Sequence, residues 1–318
     1  MDGATAVNSF IALNSLIYVV TGTIIAATPL IYAGLGELVV EKSGVLNLGI
    51  EGMMLIGAVV AFYFVKSGYP HSIALVAAMM AGAASSLLFG VLALTFLTNQ
   101  YAAGLALAIF GSGVSGSVGR NFGSAPIDAL KPIHIHLLSD IPVLGPLLFS
   151  FDYLVYLAFA AVGLVTWALY RTKTGLIIRT VGESPQSAHA IGYPVIRIRY
   201  FTTMFGGAMA GVGGAYLSIA YTPLWVENMT AGKGWIALAL VIFSTWRPLR
   251  LMLGAFLFGG MTILQLEAQA MGLPIPSDLL TTLPYVATIA VLVMMSRNRQ
   301  LLLLNFPASL AKPFRPSD

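Results

Sequence analysis

RTKTGLIIRTVGESPQSAHAIGYPVIRIR, residues 171–199, is the one long polar, cation-rich stretch enclosed between apolar runs suited to lipid. It carries Arg171, Lys173, Arg179, Arg197 and Arg199 against a single acid, Glu183. Basic residues beside membrane-spanning ends mark the cytoplasmic side, so this stretch sets the direction of every helix around it. Within it Ser184 is an expected helix N-cap and Pro185 fits the first helical position. Gln186 to Ile191 then form a short helix that Gly192 ends. A short displayed helix with no span of its own points to a docking element; the competing reading is an amphipathic connector lying on headgroups.

Composition agrees with lipid on both sides of that stretch. Only 9% of the 318 residues are charged and 58% are hydrophobic, with a mean hydropathy of +0.88, far from the quarter-charged composition of soluble domains. The fold class expected is all-α, a single polytopic transmembrane helical bundle over residues 1–318. The length accommodates about nine to ten spans with broken or short helices among them. A net charge of +4 then reports topology and contact with membrane lipid, not nucleic-acid binding. The absence of cysteine removes disulfides, thiolate catalysis and Cys-based metal sites together. Met1 to Thr5 lack the basic region of a cleaved signal, so the first apolar run is expected to be a retained span.

Working outward, the expected spans are Ser9–Tyr32, Val45–Val65, Ser72–Leu97, Ala102–Val118, Tyr153–Tyr170, Phe201–Tyr221, a short Trp235–Thr245, Leu251–Ala270 and Thr282–Met295. Gly34 to Ser43 is read as an interfacial segment carrying Glu37, Glu41 and Lys42. Residues 120–151 form a long external connection, and a polar tail runs from Arg297 to Asp318. With residues 171–199 inside, twelve basic residues fall on the inner side (Lys42, the five above, Arg247, Arg250, Arg297, Arg299, Lys312, Arg315). Four remain outside: Lys66, Arg120, Lys131 and Lys233. That split obeys the positive-inside bias.

Three groups of residues bear on chemistry. In GVLNLGIEG (Gly44–Gly52), Asn47 and Glu51 stand four apart on one helical face, framed by Gly49 and Gly52. An ionisable group inside a span faces a cavity or a partner, and the glycines let a helix unwind there. The pattern therefore allows either a pathway contact or a carboxylate that caps a neighbouring helix. GKGWIALALVIFSTWRPLR (Gly232–Arg250) is too short to cross a core of about 30 Å if it ends at Thr245. It reads as a broken or tilted element, with Trp235 and Trp246 as interfacial anchors. Gln265 and Gln269 share a helix face while Glu267 points away, which suits a helix end reaching water or a pore mouth. His134 and His136 are too little for a metal site, and His71 and His189 are expected to be solvated. No phosphate-binding Gly-x-x-x-x-Gly-Lys-[Ser/Thr] stretch occurs, and no hydrolase signature accompanies it. Catalysis on this chain is not expected.

Four stretches in order, GELVVEKSGVLNLGIEGMMLIGA (Gly36–Ala58), LSDIPVLGPLLF (Leu138–Phe149), TGLIIRTVGESPQSAHAIGYPV (Thr174–Val195) and GKGWIALALVIFSTWRPLR, resemble one family. It is the permease subunits of bacterial ABC importers in the branched-chain amino acid, ribose and nucleoside superfamily. The closer similarity is to the shorter permease of nucleoside or simple-sugar systems. The resemblance implies that the helix near Glu183, Ser184, Pro185, Ala188, Ile191 and Gly192 is a coupling helix seated in a cytoplasmic ATPase. It implies a translocation pathway near Asn47, Gly49, Glu51, Gly52 and Trp235. It also implies a second homologous permease, an ATP-binding subunit with two nucleotide modules that holds ATP and Mg, an external substrate-binding lipoprotein docking on residues 120–151 and 222–233, and a place in the bacterial inner membrane. Phe243-Ser244-Thr245-Trp246 departs from the smaller, glycine-containing stretch such proteins carry there. A secondary transporter using Glu51 as a proton or cation carrier, and a non-transporting scaffold, are the rival readings.

Overall fold

The structure, a computed structural model, describes residues 2–122, 125–133, 139, 141, 143–272, 276–296 and 305–315. It is all-α: no strand occurs among the described residues. The helices are α1 (Asp2–Lys42), α2 (Ile50–Lys66), α3 (His71–Gly90), α4 (Gln100–Gly119), α5 (Leu144–Leu148), α6 (Tyr153–Arg171), α7 (Lys173–Glu183), α8 (Pro185–Ala190), α9 (Val195–Tyr216), α10 (Lys233–Phe243), α11 (Pro248–Ala270) and α12 (Ser277–Ser296). Five described stretches are long and apolar enough to cross a membrane: Ser15–Lys42, His71–Thr95, Gln100–Phe122, Tyr153–Arg171 and Pro248–Ala270. The nine to ten spans expected are therefore matched by five on length and composition. Of the other helices, α2 has 17 residues and α10 has 11, and α9 opens on two arginines.

Helices α1 and α9 are the two pillars. α9 packs against α1, α2 and α3 at once, and α1 also lies along α10 and α11. Such multiple contact needs small residues on several faces of one helix, and FGGAMAGVGGAYL supplies them. A side chain at Gly207 would strike the Gly82 carbonyl on α3, and one at Gly214 would strike the Met54 carbonyl on α2. Backbone meets backbone at both points, so neither crossing can relax by a rotamer change. Gly214→Val is accordingly expected to separate α2 from α9 and to abolish a monodisperse folded peak in fluorescence-detected size exclusion, whereas Gly163→Ala, where a Cβ meets open space, should leave that peak in place.

The end of α1 corrects the sequence reading. Residues 34–42 are its last turns, not an interfacial segment, and the helix runs on through Pro29. Glu37, Glu41 and Lys42 are all buried, because other segments use them. The Asn47 N–H donates to Glu37 Oε1 at 3.0 Å and Trp246 Nε1 donates to Glu41 Oε2 at 2.5 Å. Lys42 Nζ donates to the Asn305 carbonyl at 2.8 Å. Residues 45–47 have no regular secondary structure and α2 starts at Ile50. Gln100 Oε1 accepts from Leu46 N (2.9 Å) and Asn47 Oδ1 accepts from Gly49 N (2.9 Å), which holds that stretch out of the helix. Since Glu37 lies five residues before the end of α1, Asn47 sits about 7–8 Å inside the bundle at the helical rise.

Beyond α4, residues 125–133 fold over the opposite end. Ile127 and Leu130 donate backbone N–H groups to Pro223 and Ile219, each at 2.9 Å. Phe62, Val59 and Trp225 form a small apolar cluster beneath them. Arg120 Nη2 meets Glu227 Oε1 at 2.7 Å, and that hydrogen bond holds the Glu227 carboxyl below the usual carboxylate range. The two segments read as an external surface are thus tied to each other. His134 and His136 lie outside the described residues. His71 and His189 are not free in solvent: His71 Nε2 lies 3.0 Å from the Asp128 carbonyl, and His189 stands edge-on to Phe314 at 5.8 Å between ring centroids.

Candidate functional site

Glu51 opens α2 and reaches across to the chain before α10. Its Oε1 accepts from the Thr230 hydroxyl (2.5 Å) and Gly232 N (2.9 Å), and its Oε2 from Gly234 N (2.6 Å). The first turn of α10 is thereby capped by a carboxyl group from another helix, which answers the orphan N–H groups every helix start presents. Asn228 (φ 55°), Ala231 (φ 47°) and Gly232 (φ 81°) all take left-handed backbone, which folds residues 228–232 into a tight knot around that carboxyl. Gly234 has no room for a side chain, since a Cβ would lie 2.6 Å from Glu51 Cα. The 11 residues of α10 rise about 16 Å, half a hydrocarbon core, so α10 is a broken element as its length predicts.

On one side of this capped start lies a groove of about 670 Å³ between α2, α4 and α10. Leu55, Leu105, Ala108 and Ile109 give it apolar walls, and Trp235, half exposed, lays its indole along the rim. Ser112 Oγ donates to Asn228 Oδ1 at 2.8 Å within it. The groove thus combines an aromatic face and apolar walls with the Glu51 carboxyl, spent on the α10 cap, and the Ser112–Asn228 pair.

The residues singled out in sequence divide. Glu51 and Trp235 line the groove; Asn47, Gly49 and Gly52 do not. Asn47 is spent on the local turn, while Gly49 and Gly52 allow α4 to close on α2, where a Cβ on Gly52 would meet the Leu107 carbonyl. Gln265, Glu267 and Gln269 lie outside the groove lining. Sequence reasoning misses Ser112 and Asn228, although the polar run ENMTAGKG before an apolar helix is a signal for the second. Trp246 is no interfacial anchor: it is 2% exposed and bonded to Glu41.

At the other end, α7 and α8 form an arch. Ser184 caps α8 by accepting from Ser187 N, Pro185 stands in its first turn, and Gly192 follows with φ 92°. Pro185 and Ala188 turn inward and are buried, while Glu183, Gly192 and Ile191, the last 69% exposed, face outward. Residues 171–199 are therefore not one loop, because α9 begins at Val195 and takes Arg197 and Arg199 into its first turns.

Residues 19–295 match the family described as branched-chain amino acid transport system / permease component. The chain is a member of that permease family. TsgC13 of Haloferax volcanii, named for glucose ABC transport, is 38% identical over 292 residues, 85% of this permease and 89% of that one. NupQ of Bacillus subtilis, a guanosine ABC transporter permease, is 33% identical over 86% of this permease and 90% of its own length. NupC of Lactococcus lactis, a nucleoside ABC transporter permease, is 32% identical over 88% and 93%. No solved structure matches the permease. It is a multi-pass membrane protein of the ABC transporter class, and association with an ATPase and a substrate-binding protein comes with that class. Among the described residues no group of three His, Asp or Glu side chains is placed to hold a metal.

Proposed function

We propose that this permease forms half of the translocation pathway of an ATP-driven importer for a nucleoside or simple sugar. The groove beside Glu51 and Trp235 is its share of the path, and a second, homologous permease closes the open side. ATP and Mg are held by a separate subunit with two nucleotide modules, which receives α8 as the coupling helix through Glu183, Ser184, Ile191 and Gly192. An external binding protein delivers solute to the surface made by residues 120–151 and 222–233. The observation that carries this reading is the split character of α8: Pro185 and Ala188 are rooted in the protein while the large apolar Ile191 is offered to solvent. A connector lying on headgroups needs no such rigid seat. The names of the relatives, which cite glucose, guanosine and nucleosides, agree with a groove that carries an aromatic face.

The test is Ile191→Glu in the complete importer reconstituted in liposomes. Placing a charge at the centre of a buried contact is expected to lower ATP-driven uptake by about tenfold or more, with the amount of inserted permease unchanged. Unchanged uptake of every nucleoside and sugar tried would overturn the coupling assignment. The same liposomes, supplied in turn with radiolabelled guanosine and glucose, separate the two solute classes.

A further inference from the structure

The residues read from sequence as a polar tail return to the bundle beneath the arch. Ser309 N–H and its hydroxyl both donate to the Gly182 carbonyl, at 3.0 and 2.7 Å, one residue before Glu183. Ala311 N–H donates to the Gly44 carbonyl at 3.2 Å, in the turn between α1 and α2. Phe314, 5% exposed, packs with Val181 of α7, Ala188 of α8 and Val195 of α9. A helix of six residues has no stability of its own, so the pose of α8 is set by what lies under Ala188.

Arg199 binds these pieces together. Charge counting places it among solvated loop cations, yet it is 1% exposed. Its Nε donates to the Ser43 carbonyl (3.1 Å), its Nη1 to the Lys312 carbonyl (3.3 Å) and its Nη2 to Ser309 Oγ (3.1 Å). The fork of the guanidinium thus spans the α1–α2 turn and the returning segment, and two of its three acceptors come from that segment. Three of the five guanidinium N–H donors are met in this way, which offsets part of the cost of burying the cation.

We propose that residues 305–315 are a strap that seats the coupling helix, with Phe314 and Arg199 as its positioning residues. Phe314 supports α8 from below, Ser309 fixes the end of α7, and Arg199 joins both to residues 43–44. From there a short non-helical segment leads to Glu51 and the groove. Force applied at Ile191 by an ATPase therefore meets the start of α2 through the strap as well as through α9. The inference rests on the reading of α8 as the coupling helix.

The experiment uses the complete importer in liposomes and measures solute imported per ATP hydrolysed, normalised to assembled complex. Because the chain has no cysteine, a spin label at Gln186→Cys on the exposed face of α8 reports its seating independently. Phe314→Ala is expected to mobilise the label and to lower the transport ratio about fivefold or more. Phe314→Leu, which keeps an apolar body under Ala188, should restore both. Ser309→Ala leaves the apolar cluster intact and should act in the same direction at smaller size, so the idea stays open to refutation if Phe314→Ala assembles poorly. An immobile label and an unchanged ratio in Phe314→Ala and Ser309→Ala, alongside a ratio collapsed by Ile191→Glu, would overturn the strap and leave the coupling reading standing. A mobilised label with the ratio unchanged in Phe314→Ala and in Ile191→Glu would overturn the coupling reading, and the strap's role in transport with it.

Discussion

Glu51→Leu is expected to unfold the α10 half of the groove. The side chain, 7% exposed, satisfies three donors, the Thr230 hydroxyl and the N–H groups of Gly232 and Gly234. Each buried donor left unpaired costs about 1–3 kcal/mol, and the bonds from Thr230 and Gly234 are both buried, so leucine should destabilise the permease by about 2 kcal/mol or more. Glu51→Gln should fall between the leucine variant and the unmodified chain. Its amide oxygen still accepts from Thr230 and Gly232, but its NH₂ is turned toward the Gly234 N–H, donor against donor. Thermal unfolding in detergent should therefore place the unmodified chain highest, Glu51→Gln below it and Glu51→Leu last, with uptake falling in the same order and insensitive to an uncoupler. This ranking separates capping from proton carriage. A carrier would show Glu51→Gln folded like the unmodified chain yet inactive, and uptake that survives ATP depletion but not an uncoupler.

Much of this was legible in the residues. The membrane class followed from charge and hydropathy, the arch from Ser184, Pro185 and Gly192, and the broken α10 from its length. The glycine seam of α9 followed from residue size. What escaped were the partners of the charged residues, which lie far along the chain; that Glu51 could cap a neighbouring helix was legible, but which helix was not. Glu51 meets Thr230 across 179 positions, Arg199 meets Ser309 across 110, and Glu41 meets Trp246 across 205. Hydropathy and charge counting treat a charged group beside an apolar run as interfacial because they see only its neighbours. Long-range hydrogen bonds decide otherwise, and they also set the boundary of α2, where Gln100 and Glu37 hold residues 46 and 47 out of the helix. Without the buried Lys42 and Arg199 the expected inner count of twelve becomes ten, against four outside.

The pose of α10 depends equally on its far end, where Trp246→Phe is expected to have the second large effect. Thr245 (φ 50°) and Trp246 (φ 54°) are consecutive left-handed residues other than glycine. Thr245 N bonds the Ile242 carbonyl and Trp246 N the Val241 carbonyl, at 3.0 and 3.2 Å, the pairing of a Schellman helix end in which glycine is the usual residue. Each such residue carries roughly 1–2 kcal/mol of backbone strain, so the surroundings must hold the turn in place. Arg250 does so at Thr245 Oγ1 (2.8 Å), and Glu41 does so at the indole N–H. Glu41 Oε1 has no hydrogen-bond partner among the described residues, so removing the indole donor strips the buried carboxyl of the one bond they give it. Phenylalanine keeps a ring against Phe306, which Trp246 meets edge-on at 5.3 Å; the loss then isolates the hydrogen bond. A destabilisation of about 2–3 kcal/mol follows for a buried polar group left alone, and Trp246→Ala should exceed it through the cavity it opens, about 3–5 kcal/mol. The decisive comparison is the double variant Trp246→Phe with Glu41→Met, which removes the orphaned carboxyl. Melting temperature should recover by at least half of what Trp246→Phe loses, because deleting both partners of a buried pair is milder than deleting one. A double variant less stable than Trp246→Phe alone would mean that Glu41 stabilises α1 by another route and that the tie to Trp246 is incidental.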